Sequence, residues 1–226
     1  MDIVIDTSTL MGGVGVSQEG RLLRLESWYS PRSHTAELMP AVQWILSQRK
    51  SHGDAITSVV VAHGPGRFGS LRAGMSVAKG LAFAYGVPLI GISTLEASAN
   101  VLRSLNAPIC SMVGAGRDFV SWAEFLSDGR ECNRNTTETV NRIGEVLTNR
   151  SESTIIAFSP SGGADPVLET IEDSSLKVFW ISAPERLEQL AYLGWRKLEQ
   201  GAIEPIQPHY LRPPSINSPR QRKEPQ

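Results

Sequence analysis

The chain has 226 residues, 41% of them hydrophobic and 20% charged, with a formal net charge of −1. Such a chain can bury the core of one large unit or of two small ones that share a cleft. The near-neutral balance excludes the basic bias of a protein that grips nucleic acid unaided, so any contact with RNA is expected through a partner. Two cysteines, Cys110 and Cys132, show neither metal-ligand spacing nor a disulfide framework, and no apolar run is long enough to span a membrane. Ile3-Val4-Ile5 follows no basic region, so no signal peptide is expected; reduced thiols and a cytoplasmic setting are.

Asp2 to Ile5 reads as a short buried strand. Gly12 to Ser17 and Leu22 to Trp28 read as two more, joined by a turn at Glu19-Gly20. Leu38, Val42, Ile45 and Leu46 recur at helical spacing, with Lys50 near the end and Pro40 expected in the first turn. Ile56 to Ala62 is β-branched and apolar, as in a central strand. A glycine-rich loop, Gly64 to Gly69, leads to a helix over Ser70 to Tyr85. A strand over Pro88 to Ile92 and a helix over Thr94 to Leu105 follow. Three strands, helix, strand, helix, strand, helix is the order of a ribonuclease-H-like unit, with a meander first and helical crossovers after it.

The second half repeats that order. Ile109 to Val113, Phe119 to Phe125 and Arg130 to Asn133 read as strands, Thr137 to Leu147 as a helix and Thr154 to Phe158 as a strand. Asp165 to Ile171 reads as a short helix, Val178 to Ile181 as a strand and Pro184 to Gln200 as a long helix with proline at its start. Two copies of one unit predict an α/β protein of duplicated, actin-like (ASKHA) type, two subdomains each with a mixed sheet and helices. The expected division is residues 1–106, residues 107–200, and an extended Pro-rich segment and tail over 201–226, where Arg220, Arg222 and Lys223 read as a solvated basic cluster.

A strand, a Gly-rich loop and a helix can cradle phosphate, because free N–H groups at the helix start point at the anion. Gly64-Pro65-Gly66-Arg67-Phe68-Gly69-Ser70 has that placement but no Walker lysine and no G-x-G-x-x-G spacing. A tight turn holding the helix on a sheet is the plainer reading. A nucleotide site, if present, would use Asp6, Thr7, Ser8, Gly64, Gly66 and Arg67. Gly74 and Gly80 lie inside the helix, where each costs about 1 kcal/mol relative to alanine, and so predict close approach by another helix or backbone.

The stretch GPGRFGSLRAGMSVAKGLA, Gly64 to Ala82, resembles the hallmark segment of the TsaB family. Ile5-Asp6-Thr7-Ser8-Thr9 is similar to that family's first strand and turn. His34 and Pro40 keep the spacing of its first helix, and Pro88 to Ala97 is similar to its next strand and helix start. Pro208-His209-Tyr210-Leu211-Arg212-Pro213 resembles its C-terminal signature; the likeness is weak from about 115 to 200. It implies a scaffold that binds TsaD, the actin-like, metal-dependent subunit that transfers threonylcarbamoyl to an adenosine beside the tRNA anticodon. It also implies a TsaE-like P-loop ATPase in the assembly, with tRNA reached only through the complex. A surface built for a related fold is expected to pair with itself when that partner is absent, which predicts a homodimer of the chain alone. The helix faces expected to meet the partner carry His34, Leu38, Val42, Leu71, Arg72, Gly74, Met75 and Ala78.

The resemblance also implies that the chain is not itself catalytic. TsaD carries a metal motif with two histidines, where this chain has Thr94-Leu95-Glu96-Ala97-Ser98, and hydroxyls are poor substitutes for imidazole. A lone His34 makes no metal site, and a capping or core role is expected of it. An actin-like ATPase also wants a second carboxylate near Gly114-Ala115-Gly116, where only Asp118 follows; Asp-Ala-Arg is common there among TsaB relatives. Ala36 stands where many relatives have Glu, with Glu37 adjacent. No metal and no cofactor is therefore expected of this chain, with ATP or ADP and Mg confined to the complex interface. The competing readings are an autonomous actin-like ATPase or kinase and a metallopeptidase-like hydrolase.

Overall fold

The computed structural model describes residues 1–31, 34–48, 55–114, 119–148, 153–160, 171, 176–202 and 206. The first half begins with a meander, β1 (Asp2–Asp6), β2 (Met11–Gln18) and β3 (Arg21–Tyr29). Glu19 and Gly20 both have positive φ, the backbone that a two-residue hairpin turn needs. Then come α1 (Thr35–Ser47), β4 (Ser58–Gly64), α2 (Phe68–Tyr85), β5 (Leu89–Ser93) and α3 (Thr94–Val101), with a short 3-10 turn over Arg103–Leu105. The second half contains β6 (Ile109–Gly114), β7 (Phe119–Phe125), β8 (Glu131–Thr139), α4 (Val140–Thr148), β9 (Ile155–Ser159), β10 (Lys177–Trp180) and α5 (Ala183–Glu199).

The two sheets have one topology. The first runs β3-β2-β1-β4-β5 and the second β8-β7-β6-β9-β10. In each, the three meander strands pair antiparallel and the last two add in parallel to the first strand. This is the duplicated α/β, actin-like architecture that the element order predicts.

Alternation along the strands sorts the core into layers. Ile3, Ile5, Val59 and Val61 face α1 and α2, packing with Leu38, Val42, Ile45, Met75 and Ala78. Val4, Val60, Ile90 and Ile92 point the other way, onto Leu187, Leu190 and Ala191 of α5. Leu95 and Ala99 of α3, and Leu102 just after it, pack against Ile109, Val113, Ala123 and Ala157 of the second sheet. The far face of that sheet packs Met112, Trp122 and Phe158 against Ile143 and Leu147 of α4. So α3 and α5 lie between the sheets, and each fully buried Leu, Ile or Val contributes about 1.5–3 kcal/mol. Helix α5 comes very close: a Cβ on Gly194 would sit 2.5 Å from Val60.

Two local expectations change. Helix α1 begins at Thr35, so Pro40 lies within it, on an exposed position where its ring meets solvent. The stretch Thr137–Thr139, read as the start of a helix, continues β8 and pairs with Phe119 to Ser121; its β-branched residues suit a strand, and α4 starts only at Val140. Cys110 is buried among the residues against α4, and Cys132 is exposed. The expected helix over 165–171 (apart from Ile171), the basic tail and the C-terminal signature lie outside the described residues, as does Lys50.

Candidate functional site: the cleft between the sheets

Asp6 ends β1, and the chain then turns through Thr7 to Leu10 before β2. One Asp6 oxygen, Oδ1, accepts from the Ser8 amide at 2.9 Å and from Ser8 Oγ at 2.6 Å. The other, Oδ2, accepts from Arg186 Nε at 2.7 Å, and the two side chains are 0% and 1% exposed. The Ser182 capping box places Arg186 in the first turn of α5: Ser182 N donates to Glu185 Oε2 at 2.7 Å, and the Glu185 amide donates to Ser182 Oγ.

The guanidinium reaches further. Nη1 donates to Ser159 Oγ at 3.3 Å and to the Ile181 carbonyl at 3.0 Å. Nη2 donates to Thr9 Oγ1 at 3.0 Å and to the Met11 carbonyl at 3.3 Å. Ser159 also shares a 3.0 Å hydrogen bond with Ser98 Oγ, which donates to the Thr94 carbonyl. One buried polar network thus joins the end of β1, the turn after it, α3, the end of β9 and α5.

The glycine-rich loop packs on the same turn. The Arg67 amide donates to the Ser8 carbonyl at 2.9 Å, and a Cβ on Gly66 would lie 2.3 Å from that oxygen. Gly64 has φ 111 and precedes a cis peptide bond to Pro65. Thr7 Oγ1 donates to the Ser70 carbonyl at 2.8 Å, which fixes the first turn of α2. The Arg67 guanidinium reaches the Pro31 carbonyl at 3.4 Å.

Asp6, Thr7, Ser8, Gly64, Gly66 and Arg67 therefore do come together, but as a packed joint. Both oxygens of Asp6 are engaged and its charge is matched by a guanidinium, so the donor set does not fit a hydrated magnesium ion with its nucleotide. It does not fit a transition metal either. Thr94 and Ser98 offer hydroxyls, one of them inside the network, and Thr94 Oγ1 is buried without a hydrogen-bond partner. Among the described residues, no group of three or more His, Cys, Asp or Glu is placed to hold a metal ion. Gly114 ends β6 and is buried, while residues 115–118 lie outside the described residues.

Seven of the eight residues expected on a partner-facing surface are buried within this chain. His34 and Ala78 are 0% exposed, Leu38, Val42 and Leu71 1%, and Met75 2%. Gly74 is buried too, its Cβ position 2.2 Å from Thr7 Oγ1. Only Arg72 is exposed, with its guanidinium over the Phe68 ring. The apolar stripe of each helix faces its own sheet, so a partner can meet only the opposite stripes. Those carry Met39, Trp44 and Gln43 on α1, and Gly69, Arg72, Ser76, Lys79, Gly80 and Phe83 on α2. Glu37, beside Ala36, turns toward Ser30, whose hydroxyl it accepts at 3.2 Å.

Arg186, Thr9 and Ser159 are absent from the sequence-based candidates. Arg186 did carry a signal: it falls on the helix face of Ala183, Leu187, Leu190 and Ala191, where a charge needs a partner.

A sequence model of the family described as "TsaD: tRNA N6-adenosine threonylcarbamoyltransferase" matches residues 29–179. The tRNA threonylcarbamoyladenosine biosynthesis protein TsaB of Escherichia coli K12 is 31% identical over 128 residues, 56% of this chain and 55% of that protein. The chain spans about half the length of the curated TsaB relatives it matches. Among solved structures, YeaZ from Pseudomonas aeruginosa superposes with a TM-score of 0.66 at 25% identity, over 88% of this chain and 93% of that one. Another Pseudomonas aeruginosa protein, described as similar to peptidase YeaZ, gives a TM-score of 0.70 at 23% identity over 93% and 99%, a likeness of fold. With the matched segment running from the end of β3 to β10 and including the glycine-rich loop, the chain belongs to the TsaD family, and TsaB and YeaZ proteins are among the relatives it resembles.

Proposed function

We propose that this chain is a non-catalytic partner subunit of the machinery that places threonylcarbamoyl on the adenosine beside the tRNA anticodon. It docks on a TsaD-like subunit, works with a TsaE-like ATPase, and reaches tRNA only through that complex. The observation that carries the reading is the outward face of α1 and α2. Phe83 is 91% exposed and Trp44 46%, and a Cβ added at Gly69 or Gly80 would have no atom of the described residues within 4 Å. Aromatic residues beside small ones suit a surface that a second helical surface can approach closely.

The cleft supports the non-catalytic part of the reading. Its carboxylate is paired with an arginine of the same chain, and its hydroxyls replace imidazoles. Neither an autonomous ATPase nor a metal-dependent hydrolase is favoured by that chemistry. The formal net charge of −1 agrees with RNA being held by other subunits.

Co-elution with a purified TsaD-like subunit in size-exclusion chromatography tests the proposal. A stoichiometric complex that Phe83→Glu abolishes is the expected result. Absence of a complex with or without nucleotide and the ATPase subunit overturns it.

A further inference from the structure

A guanidinium has five N–H donors in a rigid planar fork. In Arg186 each has an oxygen acceptor: the Asp6 carboxylate, the Thr9 and Ser159 hydroxyls, and the Met11 and Ile181 carbonyls. These five come from different places. Asp6, Thr9 and Met11 belong to the first sheet and its first turn; Ser159 ends β9 of the second; Ile181 lies between β10 and α5. Carboxylate, hydroxyl and carbonyl oxygens around one buried point are what a cation asks of a protein. The point lies between the two sheets, beside the turn on which the glycine-rich loop packs through the Arg67 amide and the Ser8 carbonyl.

We propose that Arg186 is the built-in occupant of a cation site between the two halves, so that the chain closes its cleft with its own guanidinium instead of an exchangeable ligand. The site is shaped for a planar organic cation, because the acceptors match a fork of five donors and include a single formal charge. Shortening the side chain leaves a site that takes free guanidinium. The inference stands apart from the docking surface, and holds whether or not the chain binds a TsaD-like partner.

The test is chemical rescue of the full chain. Arg186→Ala is melted with increasing millimolar guanidinium chloride, against sodium chloride at equal ionic strength and against magnesium chloride. Guanidinium is expected to raise its Tm by about 2–4 °C, a shift absent in the unsubstituted protein and in the Arg186→Ala/Asp6→Asn double variant. Equal responses in all three proteins, or a rise with magnesium and none with guanidinium, overturn the proposal. Should Arg186→Ala not fold, Arg186→Lys keeps a charge that cannot serve five acceptors. Its hydrogen exchange is expected to rise together at Thr7–Leu10 and at Ile181–Ser182. A rise confined to α5 overturns the proposal.

Discussion

The indole N–H of Trp28 donates to Nδ1 of His34 at 2.9 Å, and this contact sets the tautomer of a fully buried histidine. With Nδ1 accepting, the ring proton sits on Nε2, which donates to the Thr9 carbonyl at 2.7 Å. Arg186 holds the same threonine by its hydroxyl. Thr9 is thus fixed from both sides, by the start of α1 and by the start of α5. Gly12 leaves the room this needs, because a Cβ there would lie 2.6 Å from Nδ1 of His34.

His34 is therefore a pillar of the first sheet. His34→Ala removes a ring and strands both the Trp28 N–H and the Thr9 carbonyl. It is expected to destabilise the chain by about 2–4 kcal/mol, measured by urea denaturation. Affinity for a partner should change only as far as folding does. An unchanged denaturation midpoint with weakened partner binding would return His34 to the docking surface.

The two helix glycines of α2 should separate cleanly. Gly74 faces inward, and an added methyl would meet Thr7 Oγ1, the hydroxyl that holds the start of α2. Gly74→Ala is expected to cost about 1–3 kcal/mol. Gly80 faces open space, so Gly80→Ala should gain up to about 1 kcal/mol from helix propensity alone. The pair of denaturation curves checks both signs at once. A Gly80→Ala chain that is more stable yet binds a TsaD-like subunit less well would show that this glycine serves an external approach.

These two glycines show what the sequence could and could not carry. Small residues inside a helix announce close approach, but not from which side. The stripe Leu71, Met75, Ala78 of α2 has the same spacing whether it meets a sheet or another subunit, and only the fold shows that it meets the sheet. The meander, the parallel crossovers and the repeat were legible, because strand alternation and helical spacing are local signals. The Asp6 and Gly66 end of the cleft was legible for the same reason. The charge of Arg186 on an apolar helix face was legible, but its partner was not, because Asp6 lies 180 positions away and no local pattern joins them. In β8 the boundary was misread because Thr137–Thr139 is compatible with a polar helix start until β7 lies alongside it.

Glu96 gives a pH dependence. The residue lines a small cavity of about 50 Å³ together with Asn100, Phe125 and Leu193. Burial pushes its pKa up from the ordinary value of 4.5, nearby Lys197 opposes the shift, and Glu131 adds to it. The folded chain then binds this proton more tightly than the unfolded chain. Its contribution to stability is full below pH 4.5 and is lost as pH rises through the raised folded value. Glu96→Gln should flatten that part of the stability curve and make the chain more stable than the unsubstituted protein above it. Thermal melts across the acidic range compare the slopes; identical slopes would refute the assignment to Glu96.

The outward face of α1 and α2 makes the sharpest prediction about function. Phe83 is 91% exposed and contributes little to the fold, so Phe83→Glu should leave the stability within about 0.5 kcal/mol. An aromatic anchor at the centre of an interface is worth 2 kcal/mol or more, roughly a thirtyfold loss of affinity when removed. Trp44→Ala on α1 should act in the same direction if both helices meet one partner. In the absence of a TsaD-like subunit, the same face is expected to pair two copies of this chain, and sedimentation velocity of Phe83→Glu should then show a monomer. A dimer that survives this substitution, alongside a lost TsaD complex, would place self-association and partner binding on different surfaces. Loss of both together means that the two compete for one face, so that the homodimer must open before the modifying complex can form.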